Sequence, residues 1–523
     1  MLWSEACADP ATHWRWLVRL RAQGVDARFA EDECEVGGLQ WRKGMEMSGT
    51  PAIEADPYEG RSSLSPFAIT IFPELEDPSA DPAGQTMVDI GAVMGYGGGE
   101  IVVDVWRWPD GVTFDEDDVL VRGVADAPRM DADGSITIQC QSFLALYDRQ
   151  LPLVTCETRL HANVDEDDQG SGYPLLLGAY FRTECPRINS STHRHLVAQE
   201  FGVHQLSSTA YYKDDASGSP GDGEGEATDA DGNEYHYADF TSSTASVQIT
   251  ASGDGLIDDE DGTFTEVPGA VLHHPADQLR FLAEVACGMP PEYVDAGSFA
   301  NVRKKLVDWK YGAQVLANEA TSFLAVAEAS CKWMRAAQVP ERGRISLKLC
   351  ELDDQPVMTL DETNILEADV LDWGDKSKLI TRYLLRYNYG WHKTRKEERY
   401  LASLSYGPAD SLALELAETK YGRHDALRDK RFRVRSEMEC RYINDATTAS
   451  SSIARYAQLR EKMRRVVTLR GDATTHGLGI FDTVLLDLSW VPWWRMLDEA
   501  PKRMVVIGMQ YGLADNYLTL LEC

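Results

Sequence analysis

The 523 residues carry 51 basic against 84 acidic side chains, a formal net charge of −33 with a pI near 4.7, and 43% of them are hydrophobic. Nucleic-acid binders need a basic footprint that exchanges with phosphate counterions, so this balance disfavours general DNA or RNA affinity, while length and hydrophobic content suffice for roughly three or four folded domains. No apolar run approaches the roughly 18 residues of a spanning helix, and MLWSEACADP lacks the basic flank and apolar stretch of a secretory signal, so folding in a cytoplasm is expected.

In chain order, HWRWLVRLRAQGVDARFA alternates apolar and polar residues, with Trp14, Trp16, Val18 and Leu20 on one face and Arg15 and Arg19 on the other. This predicts a strand that turns at a glycine into a second strand through Ala27 and Phe29. IVVDVWRW continues the pattern, and Asp131-Ala-Asp-Gly134 links two strands whose Ile136, Ile138 and Cys140 share a face. Residues 1–150 read as a β-rich module. Residues 151–270 read as a second one, interrupted at about 213–234 by DDASGSPGDGEGEATDADGNE, whose eight acidic residues among small ones suggest a flexible surface loop.

From 271 the period becomes helical. Pro275 suits the first helical position, Asp277 the positive end of the dipole, and Leu279, Leu282, Ala283 and Ala286 form a stripe ended by Gly288. Further helices are expected at 298–309, opened by Ser298, and at 321–335 with Phe323, Leu324, Ala327 and Cys331. GRISLKLCE alternates as a strand, and KLITRYLLRYNYGW and ERYLASLSYG suit each other as paired strands. This 271–440 stretch is followed by a 441–523 segment with a helix at about 445–465 (Ile453, Tyr456, Ala457, Met463), then strands IFDTVLLDL and RMVVIGMQYGLADNYLTLLE. The fold class is α+β with strands dominant.

Candidate sites are few. His273 and His274 precede Pro275; sequence neighbours seldom both face one ion, and i+4 offers Gln278 rather than a ligand, so a helix start is the expectation. His193 and His195 would share a strand face, with Cys185 and His204 within reach in sequence, but the segment is not clearly a strand and no metal is assigned. Gly95, Gly97, Gly98 and Gly99 leave the backbone open as in a phosphate loop, yet Glu100 replaces the last glycine and a strand follows. Asp229, Asp231 and Asn233 resemble a calcium loop with its glycine displaced to Gly232, so a solvated loop is expected. The ten cysteines lack a CxxC pair, and the closest, Cys140 and Cys156, stand sixteen positions apart, which points to free thiols. HExxH, GxSxG and Gly-Lys are absent from the sequence. No catalytic, cofactor or metal residue is assigned. Tyr387, Tyr389 and Trp391, and Trp493 and Trp494, could stack on sugars or enter a membrane; a subunit interface is the expectation for the tryptophan pair.

The succession GGLQWRKG, GRSSLSPFAITIF, IVVDVWRW, VLVRGVADAPRMDADGSITIQCQSFLALYDRQLP, HHPADQLRFLAEV, SFLAVAEASCKWM, GRISLKLCE, TRYLLRYNYGW, ERYLASLSYG, GIFDTVLLDL and the closing strands resembles the tail-tip or baseplate hub proteins of long-tailed bacteriophages and gene transfer agents. The likeness extends over most of the chain through short motifs. The acidic insertion and VPWWRMLDEAPK depart from it. The resemblance implies a structural virion protein rather than an enzyme: a ring, usually a trimer, at the distal tail that joins the tube to tip or fibre proteins. Like-charge repulsion would let DNA slide through an acidic ring without sticking. The alternatives are a carbohydrate-binding or carbohydrate-degrading surface protein and a calcium-stabilised one.

Overall fold

The computed structural model describes all residues except 1, 10, 23–24, 73–99, 127, 215, 222, 241–246, 316–319, 373–379, 381, 390–399, 407–434, 461–462, 492–493 and 495–499. The chain folds as two compact units, each assembled from separated stretches: 1–146 with 335–375 and 463–523, and 147–334 with 376–462. Both are dominated by strands, as the alternating sequence predicts.

In the first unit the Trp14–Ala22 strand buries Trp14, Trp16, Val18 and Leu20 on one face, and Leu17 on the other. Both faces are covered, so the simple in/out alternation understates its burial. It pairs antiparallel with Val25–Ala30 and with Ile101–Pro109, in the register Trp16↔Arg107. Leu17 joins Trp41, Trp106 and Trp108 in one cluster, where the Trp41 and Trp106 rings meet edge-on at 5.7 Å. Such ring pairs add about 0.5–1.5 kcal/mol beyond their buried area. Asp131–Gly134 makes the predicted turn: the Gly134 N–H donates to Asp131 O at 3.0 Å, and Gly134 has φ +85°, a conformation open to glycine. Helix α1 (Trp3–Ala8) packs Trp3 against Trp14 and Trp108.

A second sheet of this unit joins distant parts of the chain. Thr483–Leu486, Lys502–Tyr511, Asp515–Glu522, Val466–Asp472 and Ile365–Asp372 follow one another as neighbours. The Ala52–Asp56 strand adds to Lys502–Tyr511 through Glu54↔Gly508. GRISLKLCE supplies Arg344–Leu349, paired with Ala336–Glu341.

The second unit contains two four-stranded sheets. One runs Ala179–Glu184, Ile249–Leu256, Leu206–Lys213, Ala216–Gly218; the other runs Arg187–Asn189, Arg194–Gln199, Glu234–Asp239, Gly223–Thr228. Tyr180, Val197, Tyr211, Phe240 and Ile249 share a buried cluster. The expectation of a loop at 213–234 is corrected: the described part of this acidic segment forms strands. Gly223–Thr228 pairs residue by residue with Glu234–Asp239. Gly225 and Ala227 stand opposite Tyr237 and Tyr235, while Glu224 and Glu226 alternate with them on the other face, so the strand borrows apolar cover from its neighbour on one side.

Helices follow in the same unit: α2 (Pro275–Phe281), α3 (Ala296–Lys305), α4 (Phe323–Met334) and α5 (Ala446–Arg460). α3 starts earlier than predicted because Asp295, not Ser298, caps it: the Asp295 carboxylate accepts the Ser298 N–H at 3.2 Å. α4 buries Phe323, Ala327 and Cys331 as read, with Leu324 only partly covered. It meets α5 where Trp333 and Tyr456 approach to 5.5 Å. Arg382–Tyr389 and Tyr400–Tyr406 pair antiparallel, as expected.

Candidate functional site

The histidine pair opens a corner of the second unit in which polar side chains are spent on backbone groups. His274 is extended (φ −76°, ψ 133°) immediately before Pro275, as an N-cap must be. Its Nδ1 accepts the Ala276 N–H at 3.1 Å, and its Nε2 donates to Leu306 O at 3.0 Å. This network assigns the tautomer protonated on Nε2 and leaves no ring lone pair for a metal. Burial pushes its pKa down to about 4, so the ring is neutral. His273 is half-buried, with Nε2 3.7 Å from Asp254 Oδ1. The helix-start reading holds for His274.

Gln278, one turn on, donates its amide to Leu272 O (2.7 Å) and Tyr311 O (2.8 Å), ends of loops that would otherwise bury bare carbonyls. Gly178 is required beside it. At φ +66° a Cβ there would stand 1.9 Å from Tyr311 O and 2.8 Å from Gln278 Nε2. Asp277 faces Arg303 at 3.1 Å; burial raises its pKa to about 7 despite that cation. Arg303 also pairs with Glu266 and donates to Phe264 O. Buried Asp258 accepts the backbone N–H groups of Phe264 (3.0 Å) and Thr265 (2.6 Å). These bonds fasten the 258–269 loop to α2 and α3. The predicted stripe of Leu279, Leu282, Ala283 and Ala286 is buried, but after Phe281 the helix widens to a π turn over Leu282–Ala286. Gly288 follows at φ +69°.

The other metal candidates are separated. His193 lies in a turn at φ +53°, so it does not share a strand face with His195. His195 is buried, donates Nδ1–H to Cys185 O at 2.9 Å, and is pushed by burial down to about 4. His204 bonds Ile257 O at 2.9 Å, and its ring meets Phe281 edge-on at 5.0 Å. Burial raises the Cys185 thiol far above its ordinary value, the condition of an inert structural cysteine. Among the described residues no group of three His, Cys, Asp or Glu side chains is placed to hold a metal ion, and the cysteines are free thiols.

Asp229 closes a hairpin. Its carboxylate accepts the N–H groups of Asp231 and Asn233 (both 2.9 Å), the Asn233 amide (2.8 Å) and the Tyr173 hydroxyl (3.0 Å). Burial opposes its ionisation, but the bonds from Asn233, Tyr173 and Asp231 outweigh burial and hold its pKa below the usual range. Its oxygens are thus committed to the turn rather than turned outward to a cation. Tyr173 is fully buried and also meets His161 Nε2 at 2.5 Å. Nothing in the sequence spacing signals this His161–Tyr173–Asp229 chain, just as nothing marks Gly178 or Arg303.

Tyr387 (8%) and Tyr389 (6%) are buried, as is Trp494 (1%), with the Arg465 guanidinium 5.7 Å from the Trp494 ring. The interface expectation is corrected for Trp494, which is interior: its ring is used up by packing within the chain. Trp391 and Trp493 lie outside the described residues, as do Gly95, Gly97, Gly98 and Gly99; Glu100 is exposed just before the Ile101–Pro109 strand.

No family model matches the chain, and no curated protein matches it. Among solved structures it is similar to the 43 kDa tail protein of prophage MuSo2 from Shewanella oneidensis (8% identity, 97% of this chain and 98% of that one, TM-score 0.37). It is also similar to a chain of the native gene transfer agent virion (9% identity, 71% and 88%, TM-score 0.41). A third is the tail protein from Neisseria meningitidis MC58 (10% identity, 97% and 96%, TM-score 0.34).

Proposed function

We propose that the chain is a structural protein of a phage-type virion, a hub at the distal end of a tail. It acts by association with copies of itself, as a ring of three, and with tube, tip or fibre proteins, without chemistry of its own. The observation that carries this reading is the fate of HHPADQ, a motif on which the hub resemblance rests. Its His274, Asp277 and Gln278 are all consumed in fastening loops to α2 and α3, which is the work of a scaffold. The net charge of −33 supports a wall along which DNA slides without sticking. The carbohydrate reading loses support because three of its rings, Tyr387, Tyr389 and Trp494, are buried. Imaging particles decorated with an antibody to this chain tests the proposal: label should gather at one end of the tail, and label on a capsid or on no particle would overturn it.

A further inference from the structure

In the interior of the first unit a cation lies among neutral acceptors. Arg107 is 3% exposed. Its Nη1 donates to Gly512 O and to Asn516 Oδ1, both at 2.8 Å. Its Nε is equally shut off from solvent and reaches no acceptor. Among the described residues its hydrogen-bond acceptors are those two uncharged oxygens, and the Tyr511 ring lies 5.8 Å away. Burial draws its pKa down to about 10, so at neutral pH it remains charged. Asp515 lies near enough to favour that charge, but its carboxylate is taken by Arg470, with Nε to Oδ2 at 2.5 Å. A buried charge without a counter-charge is costly, and a fold that retains one ordinarily supplies a partner.

A second set of unused donors sits beside it. Trp14 and Trp16 share a sheet face with Arg107, through the register Trp14↔Pro109 and Trp16↔Arg107. The His476 ring packs edge-on against Trp14 at 4.6 Å. Asn516, which accepts from Arg107, donates its own amide to Thr475 O at 3.2 Å, one residue before His476. His476 is 8% exposed, and among the described residues neither of its buried ring nitrogens makes a hydrogen bond of good geometry, the Asp515 backbone being its nearest acceptor. Burial, then the Arg107 charge, keep this ring neutral, opposed by a loose hydrogen bond toward the Asp515 backbone. It therefore offers one N–H. Cys7 of α1, half-buried and held as a thiol by burial, is close enough to feel the same guanidinium.

We propose that Arg107 and His476 bind a single small monovalent anion of the halide class, which balances the guanidinium and ties the Ala473–Gly477 turn to the tryptophan-rich sheet. Donors closed to solvent suit a monatomic ion better than a carboxylate or phosphate.

The test uses the purified full chain and bromide as the probe. Crystals grown in sodium bromide should show an anomalous peak beside Arg107 Nε and His476. Melting in sodium bromide against sodium gluconate at equal ionic strength should show a saturable rise of a few degrees, as for any ligand that binds only the native state. Arg107→Gln should abolish the salt difference and His476→Phe should weaken it. If Arg107→Gln fails to fold, the His476→Phe melt and the bromide diffraction of the unsubstituted chain decide. Equal melting of the unsubstituted chain in both salts, or an ordered water without anomalous signal at the position, would overturn the assignment.

Discussion

Two parts of the second unit are held by opposite means. The corner around α2 buries its polar groups: His274, Asp277 and Gln278 are each under 8% exposed and each bonds a partner far along the chain. The acidic ribbon keeps most of its charges at the surface and is tied by side-chain contacts, two to residues outside its own sheet and one across strands. Tyr211 donates to Glu224 (2.9 Å) and Gln205 to Glu226 (2.8 Å). Arg194 pairs two-pronged with Asp239 (2.8 Å each) while stacking on Tyr237 at 3.6 Å. A buried polar group is expensive to orphan, whereas an exposed one is returned to water. The two regions should therefore fail differently.

The largest contrast comes from crowding the corner. Gly178→Ala sets a Cβ against Tyr311 O and forces an alanine into positive φ, so a loss on the order of 4 kcal/mol or more is expected in denaturant melts. A glycine-to-alanine change in the ribbon at Gly225, where the nearest atom is the Tyr237 hydroxyl at 3.3 Å, should cost far less.

Acid sharpens the comparison, because the corner holds two groups of opposite sign. His274 has a folded pKa of about 4 against an ordinary 6.5, so the unfolded chain binds more protons between those values and His274 favours unfolding as pH falls through them. Asp277 is raised to about 7, so the folded chain binds the extra proton and gains stability as pH falls from 7 toward 4. Each is worth on the order of 3 to 4 kcal/mol and they largely cancel. Asp277→Asn should unmask His274: melts from pH 6.5 to 4 should steepen relative to the unsubstituted chain, and an unchanged slope would break the account of the corner. In the ribbon, Asp229 has a lowered pKa, so its contribution persists above the ordinary carboxylate range and is lost only as pH falls through the depressed value.

Substitution of the two histidines separates cap from neighbour. His274→Ala removes a cap and orphans Leu306 O, for about 2 to 4 kcal/mol, while His273→Ala should cost about 1 kcal/mol. Asp229→Ala should cost about 1 to 2 kcal/mol, with faster amide exchange confined to 229–233.

Period and punctuation made much of this fold legible. The Trp14–Ala22 alternation, the Asp131–Gly134 turn and the Pro275 start each rest on local rules that the folded chain obeys. The ribbon is illegible from composition because its order comes from pairing: EGEAT looks unfoldable alone and becomes a strand beside Tyr235 and Tyr237. The pairing of Glu54 with Gly508 leaves no local trace, since neither strand needs the other to set its own period. In the candidate site the role of His274 was readable from Pro275. Those of Gln278, Arg303 and Gly178 were not, because their partners lie distant in sequence and only the fold brings them together.

Light scattering of the purified full chain, coupled to size-exclusion chromatography, tests the scaffold reading most directly. With 58.2 kDa per chain, the account predicts a discrete species of three chains that persists on dilution. A single-chain mass at every concentration, together with turnover of a glycan, would contradict it.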